Sequence, residues 1–211
     1  MLSSRRRAAR TRGGEQRPGA APAGYDERMP RIVAVCAVRQ LRPDAGTNGV
    51  TAIDKGAVDG PVRVGPYGVR GDVQANRKHH GGLDKALYAY AQEDAAFWES
   101  ELGRSLPPSW FGENLRVEGL DVNAALIGER WRIGERVEVE VTMPRTPCQT
   151  FARWVGGPAA RGWVRRFSDE RRLGPYLRVV RGGTVEAGDE VVVTHRPEGA
   201  PGLLERYVDP V

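Results

Sequence analysis

The sequence predicts a mainly β fold with minor α content: a single closed or nearly closed β-barrel domain over residues 29–211, carrying a few peripheral helices. Three observations lead there. The 211-residue chain holds 27 Gly and 15 Pro, about a fifth of its residues against a usual share near 12%, so many turns must join short elements. Its apolar segments are short, alternating or β-branched, eight or nine in number, with few helical stretches between them. A 40% hydrophobic content at this length can bury one substantial core, and closing the sheet would remove exposed strand edges.

Taken in order, Arg31–Val38 is apolar on both alternating faces and reads as a buried strand, with Cys36 as core packing. From Gly46 to Asp72, β-branched residues alternate with Gly and Pro, which fits short strands and tight turns. Leu83–Leu102 divides into a strand near Lys85–Ala91 and a helix near Gln92–Leu102. Asn114–Val117, Arg130–Ile133 and Arg136–Thr142 read as strands, the last through the period-two run Val137-Glu138-Val139-Glu140-Val141. Gly134-Glu135 marks a hairpin turn. Gln149–Val155 and Pro158–Phe167 read as helices, and Tyr176–Val180 and Glu190–Thr194 close the β part. Trp98, Trp131, Trp154 and Trp163 each fall on an apolar face and read as packing residues.

Charge excludes one class of partner. The formal net charge is +5, but seven Arg against three acids place +4 of it in residues 1–28. The remainder is close to neutral and lacks the basic footprint of a phosphate-backbone binder, so no nucleic-acid partner is expected. Residues 1–28 are rich in Arg, Ala, Gly and Pro without apolar periodicity and read as a disordered tail. The tail lacks the apolar stretch of a secretory signal, and Met29 directly precedes the first strand, where translation could equally start. No apolar run approaches the roughly 18 residues of a membrane span. A cytoplasmic protein without membrane contact is expected.

Cys36 and Cys148 are too few and too far apart for a disulfide framework, an iron–sulfur site or a structural zinc site. Three segments carry chemistry. Asn76-Arg77-Lys78-His79-His80-Gly81-Gly82-Leu83-Asp84-Lys85 is crowded with polar groups around two glycines that let backbone approach a ligand; its other reading is a solvated loop. Asn114, after Gly112-Glu113, can present an amide to a heterocycle, or simply turn the chain into a strand. In Met143-Pro144-Arg145-Thr146-Pro147-Cys148, two prolines stiffen the exit of a strand and deliver Cys148 to a helix start. A helix N-terminus and a nearby Arg favour the thiolate, a nucleophile or soft metal ligand; an inert packed Cys is the bland alternative.

Together these segments resemble the MOSC family, the domain named after the C-terminal part of molybdenum cofactor sulfurases, and especially its compact bacterial YiiM-like members. The matching stretches are TAIDK followed by GPV (Thr51 to Val62), GVRGD (Gly68 to Asp72), HHGGLDKALYAY (His79 to Tyr90), FGENLRVEGL (Phe111 to Leu120), LIGERWRIG (Leu126 to Gly134) and MPRTPC (Met143 to Cys148). The resemblance implies a β-barrel-rich fold carrying a molybdenum cofactor, molybdenum on a pterin, with the metal held by Cys148. Its pocket motifs map onto Lys55, Arg77, His79, His80, Gly81, Gly82, Asp84, Lys85, Asn114, Arg145 and Thr146. The cofactor's phosphate would need cationic or backbone N–H partners, which Lys55, Arg77, Lys85, Arg145 and the His79–Gly82 loop could supply.

The resemblance further implies an oxidoreductase that reduces N-hydroxylated small molecules, with Cys148 tuning the metal and His80 or Asp84 passing the proton. Electrons must come from an external donor such as a ferredoxin or flavoprotein reductase, because Gly65-Pro66-Tyr67-Gly68-Val69-Arg70-Gly71 lacks dinucleotide-binding spacing. No flavin, haem or iron–sulfur site is evident. The alternative is a non-redox carrier of molybdenum cofactor or sulfur with Cys148 as anchor or persulfide. A Cys–His hydrolase built on Cys148 ranks third, since no orienting residue is identifiable.

Overall fold

The computed structural model describes residues 29–46, 48–75 and 81–210. The expected disorder of residues 1–28, and the roles expected of Arg77, His79 and His80, lie outside the described residues. Thirteen strands and three α-helices follow in chain order: β1 (Arg31–Val38), β2 (Arg42–Pro43), β3 (Val50–Thr51), β4 (Lys55–Ala57), β5 (Val62–Gly65), β6 (Gly68–Val69), β7 (Leu87–Ala91), α1 (Gln92–Leu102), β8 (Leu115–Glu118), β9 (Arg130–Ile133), β10 (Val137–Pro144), α2 (Gln149–Gly156), α3 (Trp163–Asp169), β11 (Pro175–Arg181), β12 (Gly183–Val185) and β13 (Val191–His195). Strand number exceeds the expectation because β2, β3 and β6 are two-residue pairings and β4 and β12 have three residues each.

Eight strands form one sheet in the order β13-β9-β10-β11-β7-β8-β1-β4, beside a three-stranded sheet β12-β5-β6 and the hairpin β2-β3. This corrects the expected barrel: the main sheet is open, with β13 and β4 at its two ends. The start of β1 meets the approach to β13 through one isolated bridge, Arg31 with Glu190, flanked by backbone hydrogen bonds from Val191 to Pro30, Ile32 to Asp189 and Gly188 to Ile32, and this seam does not extend into a ladder. The far half of β1, Cys36 to Val38, instead pairs with the short β4. Among the described residues, every strand pairing is antiparallel except β7 with β8.

The strand β7 shows why the site lies where it does. All five of its residues are buried, and its period-two alternation sends Leu87, Ala89 and Ala91 into one apolar core and Tyr88 and Tyr90 into another. The first core is aliphatic, built on Ile32, Val35, Leu115, Val139, Val141 and Leu177. The second is aromatic and holds the helices, through Trp98 of α1, Phe151 of α2 and Phe167 of α3. Burying such rings contributes roughly 1.5–3 kcal/mol each by transfer alone.

The helix α1 matches the expected bounds and stops at Gly103, whose φ of +62° lets its N–H reach the carbonyls of Glu99 and Ser100. The preceding strand starts later than expected, because Leu83–Lys85 forms a single 3-10 turn. The helix expected over Pro158–Phe167 is broken: Gly157–Ala159 makes a 3-10 turn, Gly162 sits at φ +85°, and α3 begins only at Trp163. Close approach explains the break, since a Cβ on Gly156 would lie 2.4 Å from the Trp163 ring. Of the four tryptophans read as packing residues, Trp98, Trp131 and Trp163 are buried, while Trp154 is half-buried against Trp110. Among the described residues no helix is long and apolar enough to cross a membrane.

Candidate functional site

A cleft of about 900 Å³, counting the part open to solvent, lies against the aromatic core. Strand exits and the loops between them build it. Lys55 enters from β4, Asn114 from the turn into β8, Tyr88 from β7, Tyr176 from β11, and Arg145 and Cys148 from the segment joining β10 to α2. The hairpin β2-β3 and residues 72–75 complete the wall.

The β10 exit is fixed by backbone geometry. Pro144 pairs with Pro175, and the Arg145 N–H donates to the Gly174 carbonyl at 3.0 Å. Only glycine serves at 174: its φ is +68°, and a Cβ there would lie 2.3 Å from the Ala89 carbonyl oxygen. Cys148 then stands at the N-cap of α2 in extended conformation, with its carbonyl accepting from the Ala152 N–H at 2.9 Å. It is half-buried and lines the cleft, whereas Cys36 is fully buried in β1. Burial, reinforced by the Glu113 charge, pushes the Cys36 thiol up from 9.0 to about 12. Cys36 is therefore the inert packing residue that the sequence implied.

Arg145 is 4% exposed. Its guanidinium lies 4.2 Å from the Phe151 ring centre and 5.6 Å from that of Tyr88. One of its N–H groups donates to the Thr146 carbonyl at 3.3 Å, and no described carboxylate pairs with it. A buried guanidinium with five donors and so few acceptors has the chemistry to receive an anion. Lys85 is nearby, 5.6 Å from the Tyr176 ring centre; burial lowers its pKa, against the raising influence of Asp84. Burial likewise pushes the Tyr176 hydroxyl up, with Arg145 pulling it down and Cys148 pushing it further up. Tyr88, raised well above 10.0 by burial, donates to the Leu173 carbonyl at 2.7 Å.

Asn114 lines the cleft but its amide is engaged within the protein. Its oxygen accepts from the Tyr88 N–H at 3.2 Å, and its nitrogen donates to the Cys36 carbonyl at 3.1 Å and to Asp72 at 2.7 Å. It ties three strands and a loop together, which leaves little of the amide for a heterocycle. Lys55 forms an ion pair with Asp72, with both side chains nearly buried. The sequence reading missed Asp72, Tyr88 and Tyr176; the only signals were that Asp72 ends GVRGD, Tyr88 lies within HHGGLDKALYAY and Tyr176 opens an expected strand.

The remaining expected residues lie apart from the cleft lining. Asp84 is exposed and ion-paired with Arg178, its oxygen accepting from Nε at 2.8 Å. Thr146 is exposed and contributes its carbonyl to Arg145. Gly81 and Gly82 are absent from the lining; the Gly82 N–H donates to the Gln74 side-chain oxygen at 2.9 Å, and Gln74 itself is part of the wall. Gly82 adopts φ +89°, ψ −178°, a conformation open to glycine alone. Arg77, His79 and His80 lie outside the described residues.

The donor set fits a cofactor that carries both a soft metal and an anionic group. Among the described residues no cluster of three or more His, Cys, Asp or Glu is arranged to hold a metal ion. Cys148 can offer one sulfur ligand to a metal carried by an organic cofactor, and Arg145 and Lys85 line the same cleft, where they can meet an anionic group.

The family model of the MOSC domain matches residues 76–192. The uncharacterized protein YflK of Bacillus subtilis is 38% identical over 128 residues, which are 61% of this chain and 56% of that protein. A protein named "Reductase" from Gibberella moniliformis is 30% identical over 173 residues, covering 79% of this chain and 29% of that one. The chain thus spans about half, or less, of the length of these relatives. The crystal structure of YiiM from Geobacillus stearothermophilus superposes with a TM-score of 0.65 at 28% identity, covering 83% of this chain and 80% of that one.

Proposed function

The chain belongs to the MOSC domain family, and from that premise we propose that it is a molybdenum-cofactor oxidoreductase that reduces N-hydroxylated compounds with electrons from an external donor. One observation carries the reading: a half-buried thiol, Cys148, and a buried guanidinium with no described carboxylate partner, Arg145, line the same cleft. That a relative is named a reductase supports the redox class. The cofactor, when bound, supplies two-electron oxygen-atom transfer. The overall change is R–NHOH plus two electrons and two protons to R–NH₂ and water, with the electrons from a ferredoxin or flavoprotein reductase.

The chain's own residues would act as follows. Cys148 offers its sulfur to the metal from the rigid proline-flanked exit of β10. Arg145 and Lys85 bind the anionic part of the cofactor, and the rings of Tyr88 and Tyr176 keep water from that wall. Asn114 and Asp72 hold the strands that shape the cleft. The ion pair of Asp84 with Arg178 takes its carboxylate away from the cleft, so the proton-passing role falls to His80 as a proposal from sequence.

Full-length protein from a host that makes the cofactor, supplied with a chemical reductant and an aromatic hydroxylamine, tests this. Wild type should form amine, and Cys148→Ala should lose at least about 100-fold in rate. Wild type that holds cofactor or a Cys148 persulfide and never turns over would replace this reading with the carrier role; thioester hydrolysis by metal-free protein would replace it with a hydrolase.

A further inference from the structure

Of the cations that line the cleft, Lys55 and Arg145 are in opposite states. The Lys55 ammonium meets both carboxylate oxygens of Asp72, and the side chains are 9% and 8% exposed. Asp72 also accepts from the Val38 N–H at 2.9 Å and from Asn114 at 2.7 Å. Its oxygens are nearly saturated and the Lys55 charge is cancelled where it stands. Arg145 keeps its charge uncancelled by any described carboxylate.

We propose that Asp72 is a positioning residue that withdraws Lys55 from anion binding, so that the anionic group of the ligand seats at Arg145 and a neutral part faces the Lys55–Asp72–Asn114 cluster. This deepens the cofactor reading by assigning which cation takes the phosphate and which does not. The physical reason is competition: a carboxylate in contact with the ammonium, both nearly dry, outbids an incoming phosphate and repels it. Arg145 offers the opposite, a desolvated fork of donors that an oxyanion completes.

The test uses the full chain purified from cells that make no molybdenum cofactor, titrated calorimetrically with inorganic phosphate and with pyrophosphate. Arg145→Gln should raise Kd at least about tenfold. Lys55→Gln should raise it by no more than about threefold, and only through the Asp72 charge that it leaves bare. Asp72→Asn should tighten binding several-fold by releasing Lys55, and adding Lys55→Gln to that variant should abolish the gain. A merely structural Asp72 would give no gain that depends on Lys55. Equal losses in the Lys55 and Arg145 variants, an Asp72→Asn protein that binds phosphate no better than wild type, or a wild type that binds neither anion would overturn the proposal. Should Asp72→Asn fail to fold, the comparison of the two cation variants decides alone. A chain that follows this pattern yet never acquires molybdenum keeps the inference and removes the cofactor reading.

Discussion

Cys36 and Cys148 carry the same thiol, and their surroundings separate them. The first is enclosed in β1 with its thiol raised from 9.0 to about 12 by burial; the second stands half-buried where β10 hands over to α2. The raised value has a stability consequence. Below pH 9 the thiol is protonated in both folded and unfolded chains; between pH 9 and 12 the unfolded chain ionises while the folded one does not. Folding stability is therefore lost with rising pH, by at most about 1.4 kcal/mol per unit from this group. Urea denaturation of wild type and Cys36→Ala across pH 8 to 11 checks it. The variant starts less stable, and the gap should narrow above pH 9; a gap independent of pH would show that the site is not so buried. Which cysteine was which could be read from sequence, because an apolar run on both faces means enclosure and a Pro-flanked strand end does not. The occupation of Asn114 by Cys36, Tyr88 and Asp72 could not, since its partners come from three distant segments.

At the scale of elements, the turn into β8 is held from within. Glu113 and Arg116 are both fully buried and ion-paired, and Glu113 also accepts the Ser109 and Phe111 N–H groups at 2.7 and 3.0 Å. Arg116 adds Gln92 at 3.2 Å and lies 5.9 Å from the Tyr90 and Phe111 ring centres. Removing one partner strands the other: Glu113→Ala should cost about 3–5 kcal/mol in urea unfolding, and Glu113→Ala with Arg116→Met should recover a large part. A single variant within about 0.5 kcal/mol of wild type would contradict the network. The FGENLR segment looked like a possible binding motif, and much of its polarity is this internal scaffold. Period-two runs gave β1, β9 and β10 nearly to the residue, and α1 to its bounds. The break before α3 was not legible, because it depends on Trp163 packing over Gly156.

For the molecule as a whole, one sheet separates an aliphatic core from an aromatic one, and the cleft lies on the aromatic side, where strand ends converge. Composition and turn density were enough for a mainly β fold. Closure was not, since an open sheet and a barrel share the same strands and differ in whether β1 and the start of β13 pair through a ladder or one bridge. The site follows from this layering: alternation along β7 places Tyr88 beside Asn114, and the β10 exit sets Arg145 and Cys148 against the same wall. The most direct measurement is the molybdenum-to-protein ratio of wild type and Cys148→Ser, both purified from a host with ample cofactor. The account predicts a wild-type ratio near one and a variant near zero with an unchanged unfolding midpoint; an empty wild type, or a variant that loads as fully, would contradict it.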